Sequence, residues 1–262
     1  MKKSNKWMRT GALLVVLTLV TSTLVGGTFA KYVSKGSATD SARVAKWGVT
    51  IETKDYSGNE SEGLFRNTYT NNGNTVVGES GAKVIAPGTK GSLADFTITA
   101  GKPEVASEVT LGATLTFEGN WKDGTSGGGS EYCPLIFTVD LGAGAGEKKF
   151  FIGQTVANTG LQDSEVNSHS TIQDMADLKL AVETYIEKGS KKYLPGHDYT
   201  NETLPITVGW EWEFEQSTVT GQTDQKDTDL GNRAVNDGDS VPKVSLVVNA
   251  SVEQINDATD AE

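Results

Sequence analysis

Three stretches of strict apolar alternation constrain this chain more than any other feature. Val109, Leu111, Ala113, Leu115 and Phe117 are separated by small or polar residues. Ile206, Val208, Trp210, Trp212 and Phe214 alternate with Thr207, Gly209, Glu211 and Glu213. Val244, Leu246, Val248, Ala250 and Val252 repeat the pattern near the end of the chain. A period of two places one strand face in a core and the other in water. That arrangement suits antiparallel sheets packed face to face. Shorter signals of the same kind lie at Trp47, Val49 and Ile51, at Leu135 to Leu141, and at Phe150 to Ile152. Leu93 is followed by Phe96 and Ile98 after a shift of phase. The expectation is a mainly β protein, a jelly-roll-like antiparallel β-sandwich. The 30 glycines against 6 prolines and 3 methionines favour turns over long helices.

One segment departs from this period. Ile172, Met175, Leu178, Val182 and Ile186 recur at three and four residues, which predicts an amphipathic helix over about 171–188. Ser170 and Gln173 read as its capping box and Gly189 as its stop. A helix in a long connection between strands is expected as an insertion that lays its apolar stripe on a sheet face or edge. Two stretches read as mobile loops: the glycine-rich 119–131, and the acidic 216–242, which has almost no apolar residues.

The first thirty residues read as an address. Lys2, Lys3, Lys6 and Arg9 precede an apolar run from Ala12 to Val25, and Gly26-Gly27-Thr28-Phe29-Ala30 follows. These are the basic, apolar and small-residue regions of a secretory signal peptide at 1–30, with cleavage between Ala30 and Lys31. The run is interrupted by threonines and falls short of the ~20 apolar residues that span a bilayer. Membrane contact is therefore expected only through the uncleaved signal. The remainder, 31–262, is expected as one secreted β-sandwich domain. Losing the four basic residues of the leader takes the net charge from −11 to −15. An acidic surface of that kind repels phosphate backbones, so nucleic acid is not expected as a partner. The single cysteine, Cys133, excludes an internal disulfide and a cysteine zinc site.

The usual catalytic patterns are missing. His169 and His197 are 28 residues apart, without the helical spacing or the intervening glutamate of a zinc hydrolase. Both are expected in surface loops. No Gly-x-Ser-x-Gly elbow occurs, and Cys133 before Pro134 reads as a buried, inert thiol. Gly142 to Gly146 lacks the lysine of a phosphate loop and reads as a hairpin connection. Glu211, Glu213 and Glu215 line the wet face of the tryptophan strand, opposite Trp210 and Trp212, which read as core. No catalytic residue is therefore expected. No cofactor is expected either, calcium excepted. Its candidate ligands are Asp224, Asp227 and Asp229, with Asn236, Asp237 and Asp239 following. Calcium takes six to eight oxygens from loops of such composition. The spacing is not that of an EF-hand, and plain solvated turns explain the same residues.

Three motifs carry a resemblance. Leu24-Val25-Gly26-Gly27-Thr28-Phe29-Ala30, with Lys31-Tyr32 after it, resembles the leader of proteins processed by a SipW-type signal peptidase. Ile85-Ala86-Pro87-Gly88-Thr89-Lys90-Gly91 before Phe96-Thr97-Ile98 is similar to the proline-glycine turn of TasA and camelysin-like (CalY) proteins. Trp210-Glu211-Trp212-Glu213-Phe214-Glu215 with Asp227-Thr228-Asp229-Leu230-Gly231-Asn232 looks like a feature of their larger secreted members. The helical middle of the chain lies outside the resemblance. It implies a jelly-roll subunit, secreted to the cell surface or biofilm matrix, that builds fibres by donor-strand exchange. The donor would begin at Lys31, Tyr32 and Val33 within Lys31 to Ala42. The implied partners are the signal peptidase and the protein itself or a related matrix protein. Two alternatives stay open: a camelysin-like secreted metallopeptidase, whose ligands the spacing does not supply, and a calcium-stabilised adhesin domain.

Overall fold

A computed structural model describes residues 43–46, 50–53, 84–99, 102–124, 128–142, 146–199, 203–214, 218–236 and 240–256. The signal region 1–30, the cleavage pair Ala30 and Lys31, the donor residues Lys31, Tyr32 and Val33, and Trp47, Val49, Glu215, Asp237 and Asp239 lie outside them. The chain divides into Met1–Val44 and Ala45–Glu262, and the fold below is that of the second unit.

Alternating residues become strands where their partners lie across a sheet. The strands are β1 (Thr50–Thr53), β2 (Lys90–Thr99), β3 (Ser107–Glu118), β4 (Leu135–Asp140), β5 (Lys148–Phe150), β6 (Lys191–Tyr193), β7 (Thr203–Trp212) and β8 (Lys243–Gln254). They form two antiparallel sheets, a five-stranded one in the order β1-β2-β7-β4-β5 and a three-stranded one in the order β6-β3-β8. The protein is thus mainly β. β1 approaches β8 without pairing to it. The tryptophan strand β7 is central, between β2 and β4. Ile206, Val208, Trp210 and Trp212 are buried on it, and they join Val109, Leu115, Leu135, Phe137, Val139 and Phe150 in one core. Phe214 does not: it is 68% exposed, because β7 ends at Trp212 and the chain bends at Phe214. The β2–β7 ladder contains a bulge with its extra residue on β7. The register shifts between Ala94 and Phe96, where Pro205 and Ile206 of β7 oppose Asp95 alone. Proline has no N–H to give a ladder and is at home in such a bulge. β4 and β5 form the expected hairpin across Gly142 to Gly146.

Among the described residues three α-helices accompany the sheets: the single turn α1 (Val156–Thr159), α2 (Met175–Glu187) and α3 (Asp224–Asn236). α2 is the helix predicted from its apolar period, and Leu178, Ala181, Val182 and Ile186 are fully buried on it. It begins four residues later than 171, and its cap is Asp174, whose carboxylate accepts from Asp177 N at 2.9 Å, not Ser170 with Gln173. The reason is competition for backbone. Ile172 donates to Gln154 O and accepts from Gly153 N, so 171–172 is held extended and cannot enter a helix. Gly189 does end the helix region, and a Cβ there would lie 2.7 Å from Leu111 Cδ1.

α2 also solves an edge problem. Beyond Val109, the side of β3 opposite β8 has no strand partner among the described residues. Leu115 N donates instead to Glu183 Oε1 at 2.7 Å, and Leu111 N to Ser190 Oγ at 2.9 Å. Covering an edge with a helix is one of the standard ways to block unwanted pairing. Glu183→Ala is expected to cost about 1–2 kcal/mol, the penalty for an N–H left without its acceptor. Chemical denaturation of the two proteins checks it, and an unchanged midpoint would show that Leu115 N–H needs no acceptor from α2.

The acidic stretch 216–242 is not the expected loop, for α3 occupies its centre. The face it buries is mostly polar: Asp227, Leu230 and Arg233 are 7%, 3% and 5% exposed. Hydrogen bonds hold that face down, so no apolar period reveals it. The legible signal lies at the helix ends. Thr223 caps the start, with Lys226 N donating to its hydroxyl; acidic Asp224 and Asp227 occupy the first turn and Arg233 the last.

Candidate functional site

The three aspartates proposed as calcium ligands lie on α3 but do not converge. Asp224 is exposed in the first turn. Asp227 points inward, where the Tyr132 hydroxyl donates to its Oδ1 and Gln222 Nε2 to its Oδ2 at 3.1 Å. Asp229 accepts from Gly124 N at 3.1 Å and from Gln225 Nε2 at 2.9 Å. Donors of the protein itself thus occupy the Asp227 and Asp229 carboxylates. Among the described residues no three His, Cys, Asp or Glu side chains gather as metal ligands.

What these residues build is a fastening. Gln222 Nε2 also reaches Glu213 O at 3.0 Å, just past the end of the tryptophan strand. The Glu213 carboxylate holds Thr218 through its N–H at 3.1 Å and its hydroxyl at 2.7 Å. On the other side of the strand end, the Pro87-Gly88 turn docks on Trp212: Gly88 N donates to Trp212 O at 2.7 Å and Trp212 N to Thr89 O at 2.9 Å. Gly88 has φ +83, the left-handed value that a proline-glycine turn of this type needs. The second and third motifs of the resemblance therefore meet at Trp212. Trp212 Nε1 and Gln222 Oε1 are buried here without a hydrogen-bond partner.

The glycine-rich stretch 119–131 joins the same assembly. Expected as mobile, it is tied at its described residues: Lys122 bridges Glu131, and Tyr132 N donates to Trp121 O at 3.0 Å. The Arg233 guanidinium donates to the carbonyls of Lys122 at 3.0 Å, Asp123 at 3.3 Å, Gly124 at 3.1 Å and Gly128. Asp123 pairs with Lys226 at 3.1 Å, and its carboxyl sits below its usual range because Ser130 N and Lys226 donate to it. Burial, followed by the bond to Asp227, pushes the Tyr132 phenol well above its usual value. Burial pushes the Cys133 thiol up to about 12. Both groups stay protonated at neutral pH, so neither supplies an anionic nucleophile.

A second polar cluster surrounds Asp177 in the first turn of α2. Its carboxylate is buried and accepts from Asn167 Nδ2 at 2.7 Å and Gln173 N at 3.0 Å, with His169 Nδ1 at 2.7 Å. His169 is thus a half-buried partner rather than a free surface residue. His197 is also engaged, its ring centroid 4.1 Å from that of Tyr193 and 4.7 Å from that of Tyr199. Sequence spacing gave no hint of either contact, since each depends on a local turn that folds the histidine against a near neighbour in the chain.

Fold and site together define a mainly β protein of two antiparallel sheets, whose polar clusters fasten helices and loops to strand ends. No protein-family model matches the chain, and no curated protein matches it. Among the described residues, no helix is long and apolar enough to cross a membrane.

Proposed function

We propose that this chain is a secreted structural protein of the cell surface or biofilm matrix, a non-catalytic fibre subunit that assembles by donor-strand exchange. In this reading a SipW-type signal peptidase releases it between Ala30 and Lys31. The sheets form a jelly-roll-like sandwich with α2 as an insertion, and the partner is the protein itself or a related matrix protein. One combination carries the reading: a Gly-Gly-Thr-Phe-Ala-Lys-Tyr leader stands before a domain of two antiparallel sheets with open edges. An unpaired edge offers N–H and C=O groups that an extended segment can satisfy, and a head-to-tail contact of that kind repeats into a filament. The polar clusters fit a structural role, since their carboxylates are spent on holding the fold.

Protein beginning at Lys31, followed by light scattering and negative-stain microscopy, is expected to form filaments. A form lacking Lys31 to Ala42 is expected to form none. Monomers from both would overturn donor-strand assembly. Chelator-sensitive proteolysis would replace the reading with the metallopeptidase, and calcium-dependent melting without filaments with the adhesin.

A further inference from the structure

From the edge of the three-stranded sheet, we infer that β8 is a two-fold interface that pairs antiparallel with β8 of a second copy of this chain. β8 runs twelve residues along β3 without a register shift and, among the described residues, has no strand on its other side. The other edge strands, β1, β5 and β6, have four residues or fewer. Edges are normally defended by proline, bulges or charges. β8 has no proline or bulge, and its charges, Lys243 and Glu253, stand only near its two ends.

The backbone geometry fixes which groups are free. Leu111 and Leu115 turn their N–H groups toward α2, so the even-numbered residues of β3 face β8. Their partners on β8 are odd-numbered, from Lys243 opposite Glu118 to Glu253 opposite Glu108. The N–H and C=O groups of Val244, Leu246, Val248, Ala250 and Val252 therefore point to the open edge. The side chains of these five residues face the core but are only half-buried. A neighbouring strand would supply the missing hydrogen bonds and lengthen the cover over this row.

The sequence of β8 is complementary to itself when reversed about Val248. Lys243 then faces Glu253 of the second copy, and the reverse pair repeats across the axis. Val244 faces Val252, Leu246 faces Ala250, and Val248 faces itself. Ser245 faces Ser251 and Val247, 52% exposed, faces Asn249. This register joins even to even residues, the only parity that pairs the free backbone groups. Registers displaced by two residues satisfy the backbone equally but set Lys243 or Glu253 opposite serine, so charge selects this one.

Sedimentation equilibrium on the purified chain tests it. The wild type is expected to dimerise. Lys243→Glu or Glu253→Lys alone, which sets like charges opposite each other twice, is expected to weaken the dimer by about tenfold. The double exchange K243E/E253K is expected to restore it, which misfolding could not mimic. Independently, a mixture of the Val247→Cys and Asn249→Cys chains is expected to crosslink on oxidation faster than either chain alone. A wild type that stays monomeric at about 100 μM, where a contact worth about 5.5 kcal/mol would half-dimerise, overturns the inference. So does a dimer indifferent to both charge reversals and to the position of the cysteine.

Discussion

Replacing Asp177 by alanine is expected to lower the unfolding free energy by about 3 kcal/mol, because three donors lose one shared, buried acceptor at once. Asp177 is fully buried, and Asn167 Nδ2, Gln173 N and the His169 ring converge on its carboxylate. The turn they hold is the one that delivers the chain into α2. Asn167 and Ser168 sit there at φ +49 and +62, left-handed values that non-glycine residues adopt at a cost. Removing the carboxylate leaves that cost in place and removes what offsets it. Asn at 177 keeps the shape and one acceptor, so Asp177→Asn is expected to lose less than Asp177→Ala. Urea denaturation of the three proteins at neutral pH gives the comparison. A loss under about 1 kcal/mol for the alanine variant would mean that the turn is held by packing alone.

The pH dependence of that difference has a fixed sign. Burial alone would raise the Asp177 pKa, but the bonds from Asn167, Gln173 and His169 outweigh it and hold it below 3.8. A carboxyl depressed in the folded state stabilises fully above its unfolded pKa and loses that contribution as pH falls through the folded value. The gap between wild type and Asp177→Ala is therefore expected to narrow as pH falls below about 4. A gap that widened below about pH 4 would reverse the sign and contradict the hydrogen-bond assignment.

How much of this was legible in the sequence follows from what kind of force holds each element. Strands β3, β7 and β8 bury alternate apolar side chains, and period two records that directly. The register shift between β2 and β7 was not legible, since its extra residue lies on β7, next to Pro205, where the alternation from Ile206 to Trp212 runs unbroken. α2 was visible through Leu178, Val182 and Ile186, but its start was not, since backbone bonds to Gly153 and Gln154 compete for Ile172. β6 left no period in its three residues. α3 was missed for a different reason. Its buried face is Asp227, Leu230 and Arg233, which reads as solvated until Tyr132 and Gln222 are brought against it from elsewhere in the chain. Composition marked 216–242 as acidic, and acidity suggested a cation. Protein donors meet two of those carboxylates, Asp227 through a hydroxyl and an amide and Asp229 through a backbone N–H and an amide.

Arg233 is the residue on which the α3 assembly turns. Its guanidinium is buried and holds carbonyls from Lys122 to Gly128, a spread that only a planar fork of several donors can cover. Arg233→Met keeps the length and the apolar stem but strands those carbonyls, at an expected cost of about 2–4 kcal/mol. Arg233→Lys is expected to recover little, because one ammonium cannot bridge the same acceptors. The damage should also be local. Asp123 N and Tyr132 N are bonded within this stretch to Ser130 O and Trp121 O, both at 3.0 Å. In Arg233→Met these amides are expected to exchange hydrogen faster than in the wild type, whereas the β3–β8 ladder keeps its protection. Wild-type exchange at 122–132 in this variant would show that the loop closes on its own bonds. Loss of protection in both regions at once would show instead that α3 and the sheets unfold as one unit. The predicted pattern lies between these: a glycine-rich loop ordered by a helix that the sequence presents as a charged loop.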